Sequence, residues 1–327
     1  MGFLFLSDIP FVHILRKRTG VHLFSVLMMS RFLKRILLFA ILFFVLEKLF
    51  IVLLITAPQR EVDKRLEMLI KGEMNKDAVI IGSSRGARDI IASQIQDSLG
   101  LSCYNLSFPG SDIEFHEFVL RMVLMHNAPP KQVFLVLDDS LTLMNDSSLN
   151  FRFDRLYPLA SYKVINREMI SKGEKSFLSH LFVLSRMNRS NFDTRRRRFA
   201  PLDTIRECGS MPVSFQKSQY RFHYDSSYSY DTLHESKRKV AWFKKLIATC
   251  EQESIALHLV FPPNYKTHNI LFEQRIRQLS GSYPRFIVYQ HSGHKYQNPE
   301  LYYDKGHLKE NGAILFTNEI IAAMGHQ

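Results

Sequence analysis

Ala78-Val-Ile-Ile81, followed at once by Gly82-Ser83-Ser84-Arg85, is an apolar, β-branched run that stops at a glycine. That pattern is a strand ending at a turn. Working downstream, Ala87 to Leu99 sets Ile90, Ile91 and Ile95 at helical spacing and closes on Gly100. Ser102 to Leu106 is then a short strand, and Ile113 to His126 a helix with Phe118, Val119 and Met122 on one side. Pro129-Pro130 ends that helix, and Val133 to Leu137 is a buried strand. The same rhythm returns near the C-terminus. Lys237 to Glu253 carries Val240, Phe243, Ile247 and Cys250 on one helical face, and Ile255 to Phe261 is a strand stopped by Pro262-Pro263. Phe272 to Leu279 is helical, Arg285 to Tyr289 a strand, and Asn311 to Met324 a terminal helix.

Strands alternating with helices predict an α/β layer with a mostly parallel sheet. Five such strands fit a flavodoxin-like three-layer α/β/α sandwich, whose sites lie beyond the carboxyl ends of the strands. Residues 140–235 break the alternation. They are rich in Arg, Ser and Tyr, including Arg195-Arg-Arg-Arg198 and the stretch Tyr220 to Tyr230, and read as an insertion with some helix that folds over the site.

Upstream lies a different kind of segment. Ile36 to Ala57 holds 22 residues broken only by Glu47 and Lys48. As one helix it is about 33 Å long, matching the ~30 Å hydrocarbon thickness of a bilayer. The alternative is a buried core helix, or two short ones separated by the charged pair. Each charge near the bilayer centre costs roughly 2.5–3.5 kcal/mol, which the flanking apolar residues offset. A partner helix is a second way to accommodate the pair. Arg16, Lys17, Arg18, Arg31, Lys34 and Arg35 stand against Asp8 before the segment, so the positive-inside rule sets the N-terminus in the cytoplasm. The expected organisation is a basic tail at 1–35, a transmembrane anchor at 36–57, a short charged helix or stalk at 58–77, and an exported domain at 78–327, in a bacterial inner (cell) membrane. A cleaved signal peptide fits less well, because its apolar core is shorter and ends at small residues. A start at Met28 or Met29 gives the more usual short basic tail; N-terminal sequencing that recovers residues 1–28 removes that expectation.

The 327-residue chain has 43 basic and 31 acidic side chains, a formal net charge of +12. A 46% apolar and 23% charged composition argues against disorder. Three cysteines exclude a disulfide-built scaffold, and no C-x-x-C pair points to structural zinc. Cys208 and Cys250 are a candidate pair in an oxidising compartment, with Cys103 buried beside a strand. Nucleic-acid binding does not suit a domain outside the cytoplasm.

Three places carry candidate chemistry. Ser84 follows a strand and opens a helix, which exposes its hydroxyl and aims its own N–H into the same space, as a nucleophile that creates an oxyanion requires. Gly-Ser-Ser is equally an ordinary N-cap. Asp304-Lys-Gly-His307 offers a base and a carboxylate to hold its tautomer, the carboxylate taking Nδ1–H and leaving Nε2 for the serine. A turn-capping Asp beside a surface His is the plainer alternative. Asn105-Leu-Ser-Phe-Pro109-Gly110 ends in a glycine whose N–H can approach a substrate oxygen closely, or is a simple loop glycine. His291 and His294 form a His-x-x-His pair with no third metal ligand, better read as a loop pair. Arg195 to Arg198 suits phosphate or uronate groups as well as a solvated face.

Taken together, a strand-end Gly-x-Ser, a glycine loop after the next strand and Asp-x-x-His near the C-terminus resemble the SGNH (GDSL-like) hydrolase superfamily. The likeness is to its divergent membrane-anchored bacterial branch, similar to exported proteins of polysaccharide acetylation and lipoteichoic acid D-alanylation. It covers about residues 78–139 and 237–324. It implies Ser84 as nucleophile, Gly82-Ser83-Ser84 standing where the family has Gly-Asp-Ser, with His307 as base, Asp304 as its orienting carboxylate, and Ser84 and Gly110 as oxyanion donors. Arg85, Asn105 and Asp139 are candidate substrate contacts. One departure stands out: the family's Gly-x-Asn-Asp block, whose asparagine is a third oxyanion donor, is here Val136-Leu137-Asp138-Asp139-Ser140. That donor is either absent or supplied from the insertion; removing one typically costs ~10²–10³ in rate, which counts against efficient free hydrolysis, and acyl-transferring members of the family also tend to lack the block, which turns the reading towards transfer.

The resemblance thus implies an exported serine acyltransferase or esterase acting on O-acyl groups of an envelope polysaccharide, with no metal or organic cofactor and an integral-membrane acyl donor protein as partner. The competing reading is a glycan-binding scaffold that kept the fold, which the missing asparagine favours and the complete Ser, Gly and Asp-x-x-His set opposes. A membrane-tethered phosphohydrolase lacks a metal-ligand set.

Overall fold

The computed structural model describes residues 11–195, 197–198, 200–215 and 223–325. Residues 1–10 of the basic tail, Arg196 of the arginine run and Tyr220 of the tyrosine-rich stretch lie outside the described residues. Chain order begins with α1 (Phe11–Lys48), α2 (Ile51–Arg60), α3 (Arg65–Ile70), β1 (Ala78–Ile81), α4 (Ser84–Asp89), α5 (Ala92–Leu99) and β2 (Cys103–Asn105). It continues through α6 (Ile113–His126), β3 (Gln132–Val136), α7 (Phe153–Leu156), α8 (Lys163–Ser171), α9 (Val183–Arg186), α10 (Lys237–Gln252) and β4 (Ala256–Phe261). Last come α11 (Ile270–Ser280), β5 (Arg285–Val288), β6 (Tyr302–Asp304), β7 (His307–Leu308) and α12 (Glu310–Gly325).

The sheet is five-stranded in the order β2-β1-β3-β4-β5, every neighbour parallel. That is the flavodoxin-like order expected from the sequence. Each strand is short and apolar because both sheet faces are covered. Ile80, Phe134, Val136, Val260 and Ile287 pack with Ile90, Ile95, Phe316 and Ile320 in one buried cluster on the side of α5 and α12. On the other side α6 packs against α10 and α3. Caps fix where helices begin: Asp112 accepts from Phe115 N–H, Ser236 from Lys239 N–H and Asn269 from Phe272 N–H. The strand order reverses between β1 and β3, which opens a crevice beyond their carboxyl ends.

The chain divides into two compact units, Met1–Thr56 with Ala160–Asp193, and Ala57–Leu159 with Thr194–Gln327. The expected insertion is therefore not one body. Its middle third belongs with the N-terminal helix, while its ends belong with the sheet. The stretch Met28–Arg60, most of it in the first unit, is long and apolar enough to cross a membrane. It is not the single uninterrupted helix expected over 36–57, because α1 ends at Lys48 and a turn at Leu49-Phe50 precedes α2.

The stretch read as a stalk is built into the sheet unit. Leu66, Leu69, Ile70 and Met74 are buried. Arg65 donates to the Ser107 carbonyl at 2.7 Å and the Gly209 carbonyl at 3.2 Å, and its fork grips Asp63 at 2.9 and 2.8 Å. The helix expected over 87–99 is two helices, broken where Ile90 adopts extended backbone. Nor do Cys208 and Cys250 pair: all three cysteines are free. Cys208 joins the β2 edge of the sheet, its carbonyl accepting from Asn105 N–H at 2.9 Å, while Cys250 is buried on α10, which packs on β4.

Candidate active site

β1 delivers Gly82-Ser83-Ser84 to the crevice. A Cβ on Gly82 would stand 2.9 Å from Val136 Cβ, so only glycine lets the chain turn this close to β3. The two serines divide the two roles open to the motif. Ser83 is the N-cap of α4, accepting from Arg85 N–H, and donates a short hydrogen bond to Asp138. Ser84 is left free of capping, and its Oγ lies 2.8 Å from His307 Nε2.

Asp304 and His307 face one another across a two-stranded antiparallel hairpin, β6–β7, turned at Lys305-Gly306. His307 Nδ1 lies 2.8 Å from Asp304 Oδ1, which also accepts from Gly306 N–H at 2.9 Å. Burial alone would raise the Asp304 carboxyl, but the hydrogen bonds and charge of His307 outweigh it and hold the group below its ordinary value. The next residue pins the hairpin to α4, the helix that Ser84 opens, since Leu308 N–H donates to Asp89 Oδ1 at 2.9 Å. Asp89 is fully buried. That burial pushes its carboxyl up to about 7, with Arg85 partly opposing. The sequence reading did not single out Asp89; an aspartate among Ala87, Ile90 and Ile91 was the available signal.

Ser84, His307 and Gly110 line one cavity of about 400 Å³, walled also by Leu141, Leu149 and Tyr265. Leu141, Ser148, Leu149 and Asp225 come from the insertion, so its sheet-bound ends contribute to the cavity wall. Gly110 has φ +75°, a left-handed conformation that glycine adopts without strain. A Cβ there would meet Arg152 Nη1 at 3.1 Å.

The remaining candidates separate. Arg85 lines the cavity, yet its guanidinium is committed to the carbonyls of Pro262 at 2.7 Å and Pro263 at 2.9 Å. Asp139 also lines it, in left-handed backbone at φ 51°, with one oxygen held by Lys266 and Asn264. Asn105 does not reach the cavity. It is fully buried, its amide donating to the Gly86 carbonyl at 2.8 Å and its oxygen accepting from Ser107 N–H at 3.0 Å, so it braces the loops instead of meeting substrate. Asp138, just after β3, also lines the cavity. Burial raises its carboxyl, with Ser83 and Arg85 opposing.

Among the described residues no group of three or more His, Cys, Asp or Glu is arranged to hold a metal ion. His291 stacks on His268 at 4.6 Å, and His294 Nδ1 meets Gln297 at 2.8 Å. Arg197 of the arginine run pairs with Glu61 at 3.1 Å.

Chemically, the line from Ser84 through His307 to Asp304 can take a proton from the hydroxyl and return it to a leaving group. No protein-family model and no curated protein sequence matches the chain. Among solved structures it is similar to a Bacteroides fragilis protein described as a "putative acylhydrolase", at 10% identity and a TM-score of 0.37, covering 83% of this chain and 97% of that one.

Proposed function

We propose that the protein is a membrane-anchored, exported serine acyl-transfer enzyme of the SGNH type, acting on O-acyl groups of a cell-envelope polysaccharide as acyltransferase or esterase. The observation that carries the proposal is the unbroken relay of 2.8 Å contacts from Ser84 Oγ to His307 to Asp304 at the wall of a cavity. His307 Nε2 takes the Ser84 proton as Oγ bonds to the acyl carbon. The carbonyl oxygen becomes an oxyanion facing the N–H groups of Ser84 and Gly110. Collapse breaks the bond to the donor oxygen, which leaves with the proton from Nε2. A sugar hydroxyl, or water, then loses its proton to Nε2 and attacks the acyl-serine, and Ser84 is restored. Asp304 stabilises the imidazolium in both halves without itself taking the proton.

Lys305 in the cavity wall suits an anionic or heavily hydroxylated acceptor. An integral-membrane acyl donor protein fits an anchored enzyme, because acyl-CoA is cytoplasmic. The test is covalent labelling of the full-length protein with a serine-directed phosphonate. Label is expected on Ser84, lost in Ser84→Ala and strongly slowed in His307→Ala; labelling that survives Ser84→Ala refutes the assignment. Turnover of a model acetyl ester with and without added polysaccharide separates transfer from hydrolysis.

A further inference from the structure

The unit formed by the N-terminal helix and Ala160–Asp193 deals with its charged pair internally. Glu47 is 2% exposed; its carboxylate pairs with Lys48 at 2.9 Å and accepts from Leu184 N–H at 2.6 Å. Lys48 donates to the Leu181 carbonyl and lies 4.2 Å from the Phe44 ring centre. Phe182 meets Phe44 edge-on at 6.0 Å, and Phe192 meets Phe50 at 6.5 Å. The segment that covers Glu47 and Lys48 is nonetheless apolar on its outside. Phe177 is 71% exposed, Leu178 53%, Leu181 57% and Phe192 51%. These side chains continue the exposed apolar surface of α1, where Phe43 and Leu46 are about half exposed. Residues 177–192 contain His180, Arg186 and Arg189 and no acidic residue.

We infer that the segment Phe177–Phe192 is immersed in the membrane interface beside the spanning helix, with lipid as the partner of its exposed Phe and Leu side chains. An exposed apolar patch continuous with a membrane-crossing helix has the same solvent as that helix. Basic residues without acidic ones suit an anionic headgroup layer. Depth follows from backbone chemistry. Phe177–His180 and Arg189–Phe192 are single 3₁₀ turns and α9 is one turn long, so many of their amides need partners outside a helical ladder. Such backbone does not lie in lipid hydrocarbon, which sets the segment at the boundary of headgroups and acyl chains. Glu47 and Lys48 then mark that boundary.

This inference rests on the reading of the apolar helix as an anchor, and the experiment separates the two. Trp242 is the only tryptophan. In a Trp242→Phe background, Phe39→Trp, Phe177→Trp and Leu233→Trp are made singly in the full-length chain. Each is reconstituted in phosphatidylcholine–phosphatidylglycerol vesicles with bromines shallow or deep on the acyl chains. Phe39→Trp is expected to be quenched by deep bromines, and Phe177→Trp to be blue-shifted and quenched by shallow ones. Leu233→Trp, at a side chain 90% exposed in the other unit, is expected to be unaffected. Quenching at position 39 but not at 177 overturns the inference and leaves the anchor standing, the patch then being covered by protein or water. Quenching at neither position overturns both.

Discussion

Replacing Asp304 with Asn tests the relay at its far end. In the native hairpin the proton sits on His307 Nδ1, 2.8 Å from Asp304 Oδ1, leaving the Nε2 lone pair for Ser84 Oγ. An asparagine whose oxygen keeps the Gly306 N–H bond turns its own NH₂ towards Nδ1. The proton then moves to Nε2, the atom that has to accept from the serine. The electrostatic loss can be sized. A carboxylate and an imidazolium about 4 Å apart in an effective dielectric of about 20 attract by about 4 kcal/mol. At 1.36 kcal/mol per decade that is a factor of about 10³. The two side chains are 21% and 24% exposed, so solvent screens part of it. The expected slowing is therefore about 10²–10³. The assay is the second-order rate of phosphonate labelling of Ser84 in the full-length protein, followed by intact mass from pH 5 to 9. A circular-dichroism melt alongside it separates loss of relay from loss of fold. A folded Asp304→Asn protein that labels at the native rate would refute the relay, because no other carboxylate is hydrogen-bonded to Nδ1.

Three further outcomes follow from the same geometry. Asp89 titrates at about 7 when folded and near 4 when unfolded, so between those values the folded state binds the extra proton and stability falls as pH rises. Asp89→Asn should flatten that slope, worth at most about 4 kcal/mol, as read from melting temperatures between pH 4 and 8; an unchanged slope counts against the buried carboxyl. Gly110→Ala puts a Cβ at φ +75° and 3.1 Å from Arg152, costing about 1 kcal/mol of stability. If that N–H donates to the oxyanion, the backbone shift the new Cβ forces should displace it and slow labelling by up to about 10²-fold, whereas a loss of stability alone would make Gly110 only a turn residue. Arg65→Met strips Asp63 of its forked partner and frees two carbonyls, which should cost about 3–5 kcal/mol in a denaturant melt.

What the sequence reveals about this molecule is what is local in the chain. The strands are legible because β-branched runs end at Gly or Pro, and helices such as Ile113–His126 because apolar spacing and an Asp cap coincide. Asp-x-x-His is legible because three residues span one hairpin turn. The break after Asp89 is not, because the apolar period runs on through Ile90 and Ile91 while distant side chains satisfy the interrupted ladder. Asn105 donates to the Ile90 carbonyl at 3.3 Å, Thr317 accepts from Ile91 N–H at 3.1 Å and Ser210 from Ala92 N–H at 3.0 Å. The same long-range bonding turns Asn105 from a substrate candidate into a brace. Nothing near Glu47 in the chain foretells that Leu184, 137 residues away, caps its carboxylate.

The base and its carboxylate share one small hairpin, while the hydroxyl they serve lies 223 residues earlier. A chain still emerging from the ribosome therefore displays Ser84 well before its hydrogen-bond partner His307 has been made. On the proposed function, reactivity waits until the β6–β7 hairpin has docked, with Leu308 clipped onto Asp89. A product nicked between Ser84 and that hairpin and stripped of the later piece would keep the hydroxyl and lose the imidazole, so the proposed chemistry would report on the continuity of everything in between.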